Sequence, residues 1–205
     1  LRGVIMQTEI VVLSTRIVYR KFGMDVIEET FHHNGELGCY RYVIMAPSVR
    51  IVPITNSGHV VFIRQFKYPL NEEILCLPAG TVEQGETNII AAIRELNEET
   101  GYVADELIDI GPTYPMAATV KQRCAVVLAL GCHPNPSQER ELSCGDLENE
   151  TGLELVKGSC IEELILNSIL MDGQAIVALC KAAIYLKTQN QADIQIMSRL
   201  ESFIK

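Results

Sequence analysis

The chain has 205 residues, 48% hydrophobic and 21% charged, which is enough for one domain with a substantial core and leaves no compositional sign of disorder. A formal net charge of −9, with no run among the 17 Lys and Arg, argues against a nucleic-acid surface, because phosphate neutralisation needs clustered cations. It leaves a phosphate substrate open, since metal ions can supply positive charge locally.

The amino end carries a short apolar patch, Ile10 to Leu13, but no stretch approaches the roughly 18 apolar residues of a membrane span or the pattern of a secretory leader. Met6 is a candidate native start. Seven cysteines, at positions 39, 76, 124, 132, 144, 160 and 180, are odd in number and form no C-x-x-C pair. They read as reduced, small hydrophobes in a cytoplasmic protein rather than as a zinc site or a disulfide framework.

Thr8 to Arg20 is a β-rich run, Met24 to Phe31 alternates, and Asn34-Gly35 supplies a turn before Cys39 to Met45, which together predict an antiparallel meander. His32 and His33 fall near that turn and read as surface loop residues. Val49 to Ile54 and His59 to Phe66 predict a second hairpin through Asn56-Ser57-Gly58. It closes in a basic and aromatic cluster, where Phe66 or Tyr68 can stack a base or ribose and Arg64 can face phosphate; an ordinary strand end is the alternative.

Leu75 to Pro78 reads as a short buried strand leading into a glycine-containing loop and then a helix, Thr87 to Tyr102. At 3.6 residues per turn Glu95, Glu98 and Glu99 share one helical face, while Ile89, Ile93 and Leu96 point to a core. Like charges at that spacing cost roughly 0.2–0.5 kcal/mol per pair, so the crowding needs a reason. A divalent cation would remove the repulsion, and carboxylate oxygens are what Mg2+ prefers; a solvated acidic face is the plain alternative.

Leu107 to Ile110 and Cys124 to Leu130 are further strands, with Tyr114 to Arg123 between them as a loop bordering the site. Pro134 to Glu150 is polar and reads as a lid. Leu153 to Val156 is a strand, Ser159 to Met171 and Gln174 to Lys187 are helical, and Thr188 to Gln191 links to a last amphipathic stretch with Ile194, Met197, Leu200 and Phe203.

Gly80, five residues, Glu86, seven residues, then Arg94-Glu95-Leu96-x-Glu98-Glu99-x-Gly101 resembles the Nudix box position by position, with Tyr102 where an aliphatic residue is usual. The resemblance implies an α+β fold, a Nudix-type α/β/α sandwich with a mixed sheet, here preceded by antiparallel strands. It implies hydrolysis of a nucleoside diphosphate linked to another group, with Mg2+ or Mn2+. Carried onto this chain, Glu95 and Glu99 match metal ligands, and Ala79 would add its backbone carbonyl. Arg94 matches the arginine that holds a box glutamate, and Glu98 is a further ligand or a base.

Arg64-Gln65-Phe66 and Leu77-Pro78-Ala79-Gly80 extend the likeness, over about residues 8 to 187, to ADP-ribose pyrophosphatases and related nucleoside-diphosphate-sugar hydrolases. In that group a loop glutamate serves as base, and Glu148 and Glu150 fall at its place, with Ile169, Asp172, Ala178 and Leu179 supporting the register. The resemblance implies a homodimer paired through the amino-terminal strands. Two positions depart: Cys76 stands where Glu is usual, and Met116-Ala117-Ala118 with Gln122 replaces a Ser-Pro-Gly loop and its Glu.

The expected organisation is a strand extension over 1–48, a hydrolase domain over 49–187 and a helical extension over 188–205. The expected substrate is ADP-ribose or a related nucleotide sugar, with no nucleic acid or membrane partner. Other nucleotides (GDP-mannose, a dinucleotide, a nucleoside triphosphate) and a non-catalytic nucleotide sensor are the alternatives.

Overall fold

A computed structural model describes residues 9–137 and 152–189. The chain divides into two compact units, Leu1–Ala46 with Tyr114–Arg123, and Pro47–Thr113 with Cys124–Lys205.

The first unit is a meander of β1 (Ile10–Lys21), β2 (Met24–His33) and β3 (Glu36–Met45), all antiparallel. Asn34 and Gly35 both take positive φ, as a tight two-residue hairpin turn requires. Both histidines lie at the end of β2, one step earlier than the sequence suggested: His32 pairs with Leu37 and His33 with Glu36. Every residue of β1 is exposed.

Tyr114 to Arg123, expected as a plain loop, contributes a short strand (Val120–Lys121) parallel to β3. Its backbone carbonyls accept there, since Thr119 C=O takes the Val43 N–H at 2.9 Å and Ala118 C=O takes the Tyr40 hydroxyl. Gln122 spends its side-chain amide on the Ala46 carbonyl at 2.9 Å.

The second unit begins with β4 (Ser48–Thr55), β5 (His59–Lys67), β6 (Glu72–Cys76), β7 (Ala79–Thr81) and α1 (Asn88–Thr100). Next come β8 (Tyr102–Val103) and β9 (Glu106–Thr113); the short first-unit strand is β10, followed by β11 (Cys124–Pro134) and β12 (Gly152–Lys157). A 3-10 turn at Gly158–Cys160, α2 (Ile161–Leu166) and α3 (Gly173–Thr188) end the described chain.

The sheet is mixed: β4 runs parallel to β11, and its other pairings are antiparallel. The apolar runs of β4 and β11 alternate between two cores. Val49, Ile51, Ala125, Val127 and Ala129 pack with Ala91, Ala92 and Leu96 of α1. Val52, Ile54, Val126 and Leu128 pack with Ile161 and with Ala175, Ala178 and Ala182 of α3. Helices on both faces of a mixed sheet make this an α/β/α sandwich of the α+β class, with the first unit's strands added.

Several boundaries differ from expectation, each for a local reason. The strand expected over Leu75 to Pro78 stops at Cys76 with β6, and after Leu77 and Pro78 the chain leaves β5 to pair with β4 through β7. The helix expected over 159–171 is only one and a half turns of α2. Ser168 enters the left-handed region at φ 56, and Ile169 and Leu170 turn their N–H groups back to Leu164 C=O, which closes the helix. Ile93 is 48% exposed; Ala91 and Ala92, too small to hold α1 off the sheet, take the buried stripe beside Leu96.

One ion pair joins the sheet to α3. Arg50 Nη1 donates to Asp172 Oδ2 at 2.6 Å, with both side chains mostly buried, and Asp172 Oδ1 accepts from the Gln174 N–H as the α3 N-cap. Among the described residues Arg50 Nε is buried with no hydrogen-bond partner, and Nη1 has besides Asp172 only a long contact to Leu77 C=O at 3.5 Å, so Asp172 supplies most of the compensation for this guanidinium. Asp172→Ala is therefore expected to cost about 3 kcal/mol or more, because it strands a buried charge and removes a cap. Asp172→Asn, which still caps, should recover about 1 kcal/mol of that. Denaturant titration reads both, and an Ala variant as stable as the parent would discard the pair as a tie.

Candidate active site

The site is built where the loop after β7 hands the chain to α1. Thr87 caps α1, its hydroxyl accepting from the Ile90 N–H at 3.3 Å, and Gly101 ends it in the left-handed conformation at φ 68. Between those limits the helix presents Arg94, Glu95, Glu98 and Glu99.

Arg94 is the hub. Its Nε and Nη2 donate to the two oxygens of Glu86 at 2.9 and 3.0 Å, and Nη2 also donates to Thr81 C=O at 2.9 Å. Its Nη1 reaches Glu95 Oε1 at 2.7 Å and Glu98 Oε2 at 3.2 Å. Those contacts engage all five N–H donors of the guanidinium. The Arg94 contacts, joined by the Glu83 N–H, hold the Glu86 carboxyl down at about 2. Because that pKa is depressed, the pairing stabilises the fold fully above the ordinary carboxylate range and is lost only as pH falls toward 2.

Glu95 and Glu99 are partly buried and sit against β7. A Cβ on Gly80 would fall 1.9 Å from Glu95 Oε1, so only glycine lets the strand pass this carboxylate. Glu99 Oε2 accepts the Ala79 N–H at 2.8 Å. Burial pushes the Glu99 carboxyl up to about 7; the Ala79 N–H opposes this, Glu95 adds to it, and Lys67 and Arg50 pull it down. Glu95 is raised too, mainly by burial, with Arg94 pulling the other way.

Of the predicted residues, Ala79, Arg94, Glu95 and Glu99 are brought together, with Glu98 at the rim, 57% exposed and tied to Arg94. Arg64, expected to face phosphate, is paired with Glu154 of β12 at 2.8 Å. Phe66 follows two residues on, and Tyr68 is 73% exposed in the turn after β5. Glu148 and Glu150, with most of the predicted lid, lie outside the described residues.

Sequence reading passed over Lys67 and Arg50, the two cations whose fields reach Glu99. Strand alternation was the available signal for Lys67: Gln65 and Lys67 share a side of β5, with the Lys67 ammonium donating to the Gln65 carbonyl, and that side is opposite to Arg64 and Phe66. For Arg50 there was none, since its partner is 122 residues away.

The donor set suits a hard divalent ion: oxygen ligands only, on two carboxylates one helical turn apart, of which Glu99 bears the larger penalty from burial. Arg94 takes one oxygen of Glu95. Among the described residues no three His, Cys, Asp or Glu side chains converge as a complete cage. Mg2+ does not need one, because it is commonly held by one or two carboxylates with water and substrate phosphates completing the shell.

The model of the NUDIX domain matches residues 45–142, which take in β4 to β9 and β11, with Gly80 and all of α1. A NUDIX domain is thus matched over that span. The chain is 33% identical over 103 residues to the ADP-ribose pyrophosphatase of Bacillus subtilis (strain 168), covering 50% of this chain and 56% of that protein. It is 36% identical over 74 residues to the methanol dehydrogenase activator of Bacillus methanolicus, 36% and 40% of the two chains. It is 39% identical over 61 residues to the ADP-sugar pyrophosphatase of Mus musculus, 28% of each. The matches thus span about half or less of these curated relatives. A solved structure described as an ADP compounds hydrolase superposes with a TM-score of 0.75 at 21% identity, over 90% of this chain and 97% of that one, which supports the Nudix fold.

Proposed function

We propose that the protein hydrolyses the pyrophosphate bond of ADP-ribose or a related nucleoside-diphosphate sugar, releasing a nucleoside monophosphate and a sugar phosphate. The observation that carries this reading is the pair Glu95 and Glu99, desolvated against Gly80 and Ala79, with Glu95 held by Arg94 and Glu99 by the Ala79 N–H. Relatives named ADP-ribose and ADP-sugar pyrophosphatase support the substrate class.

Glu95, Glu99 and the Ala79 carbonyl would hold Mg2+ or Mn2+, which supplies neutralising charge for a diphosphate. Arg94 fixes Glu95 in place and keeps Glu86 and Glu98 from repelling it. Lys67 and Arg50 favour the ionised form of Glu99. A carboxylate, Glu98 or one of Glu148 and Glu150, takes the proton of the attacking water. The water oxygen bonds to phosphorus as the bridging P–O bond breaks, and the electron pair leaves with the second phosphate. Phe66 and Tyr68 offer rings for base or ribose, and Arg64 a cation shared with Glu154.

Cys76 supplies no charge where Glu is usual in the resembled group. Burial pushes its thiol up to about 11, and its Sγ points to the Ile63 carbonyl. A contact to substrate is therefore missing there, which favours a nucleotide other than ADP-ribose as the second reading. Long, exposed and apolar, β1 is suited to pairing with a second copy in a homodimer. No described helix is long and apolar enough to cross a membrane; a cytoplasmic location is part of the proposal.

Incubation with ADP-ribose, GDP-mannose, NADH and nucleoside triphosphates, with Mg2+ and with chelator, tests the reading. Release of AMP and ribose 5-phosphate only with metal is the expected result. Preferred turnover of another nucleotide would move the substrate, and turnover of none would leave a nucleotide-binding role.

A further inference from the structure

At the end of β4 remote from Gly80 and α1, the β4–β5 turn and the chain leaving β12 enclose a cavity of about 430 Å³. Its wall includes Asn56, Ser57, His59, Lys157 and Ser159, and no carboxylate. On a chain of net charge −9 this is a local reversal of sign.

His59 and Lys157 are register partners in the antiparallel pairing of β5 with β12, so their side chains leave the sheet on one side, directly opposite each other. Two basic groups in that relation repel when both are charged. The backbones cannot relax apart, because the ladder continues through Val60 and Val156 and the Gly158 N–H donates to Gly58 C=O at 3.1 Å. The ring is also fixed. Thr55 Oγ1 accepts the His59 N–H at 3.0 Å, and Ser57 Oγ lies 3.0 Å from both Thr55 Oγ1 and His59 Nδ1. With Nδ1 engaged, Nε2 is the remaining polar atom of the imidazole.

The geometry points to a second site, for a small phosphate-class oxyanion held between His59 and Lys157. It is separated from the carboxylate site by roughly 17 Å, the length of the five strand residues from Arg50 to Thr55. An oxyanion there would take a charge-assisted contact from the Lys157 ammonium and an N–H from the His59 ring, with the Ser159 hydroxyl and Asn56 amide as further donors. Inorganic phosphate and the phosphate group of a nucleotide or sugar ester share this chemistry.

The test is a titration of the isotope-labelled full chain with inorganic phosphate and, in parallel, with AMP, followed by NMR at Gly58, His59 and Ser159. Saturable shifts at those residues are expected in both the parent and Glu99→Gln, which removes any contribution from the carboxylate site. Lys157→Met and, separately, His59→Asn should each weaken binding by about tenfold or more, as loss of a contact to a charged group implies, while Lys187→Met should not. Whichever of the two ligands saturates at lower concentration is the source. Unmoved resonances at the three residues, or Lys157→Met and His59→Asn titrating like the parent, would overturn the assignment.

Discussion

Glu99→Gln is expected to lower turnover by about 10²–10³-fold or more while the fold stays intact or gains stability. Charge stabilisation through a bound cation is worth several kcal/mol in such reactions, and each factor of ten in rate is about 1.4 kcal/mol. The amide cannot supply the anion, so that contribution goes. Its oxygen can still accept the Ala79 N–H that Glu99 accepts at 2.8 Å, so the local backbone keeps its partner. The buried carboxylate, pushed up to about 7, is replaced by a group with no charge to desolvate. Activity and stability should therefore move in opposite directions. Steady-state rates at saturating Mg2+, read beside thermal melts, decide it: a variant with near-parental turnover would take Glu99 out of the metal site.

Arg94→Lys should reduce activity by roughly 10–100-fold, the usual cost of disturbing a group that orients a metal ligand. Here stability falls with activity. The guanidinium serves Glu86 through two parallel contacts, reaches Glu95 and Glu98 from one nitrogen, and ties α1 to Thr81 C=O. A lysine keeps the charge but has three donors on a flexible stem and no planar fork, so it cannot serve all four partners. Glu95 would then be free to leave the position in which Gly80 accommodates it. Raised metal concentration should restore part of the lost rate, since the carboxylate is displaced rather than removed. A lysine variant matching the parent in melting temperature and in metal dependence would show that the hub does not place Glu95.

The two variants separate the roles within one helical turn. Glu99 is a group whose burial is costly and whose charge is the point, whereas Arg94 is a group whose many contacts stabilise the local fold and whose effect on chemistry is indirect.

Much of this site was legible in the chain alone, because its parts are local. Thr87 and Gly101 mark both ends of α1, and the spacing of Arg94, Glu95, Glu98 and Glu99 along a 3.6-residue period puts them within reach of one another. The continuous apolar run Cys124 to Leu130 of β11 likewise declared a strand buried on both faces. Tertiary structure decided what no local period encodes. The Arg50–Asp172 tie spans 122 residues. Arg64 belongs to Glu154 because β12 lies beside β5. Gly80 is indispensable only because Glu95 arrives from another element to lie against it. Two-residue strands such as β8 and β10 escaped the sequence for a related reason: their few backbone hydrogen bonds are held by the pairing around them, not by the propensity of their own residues.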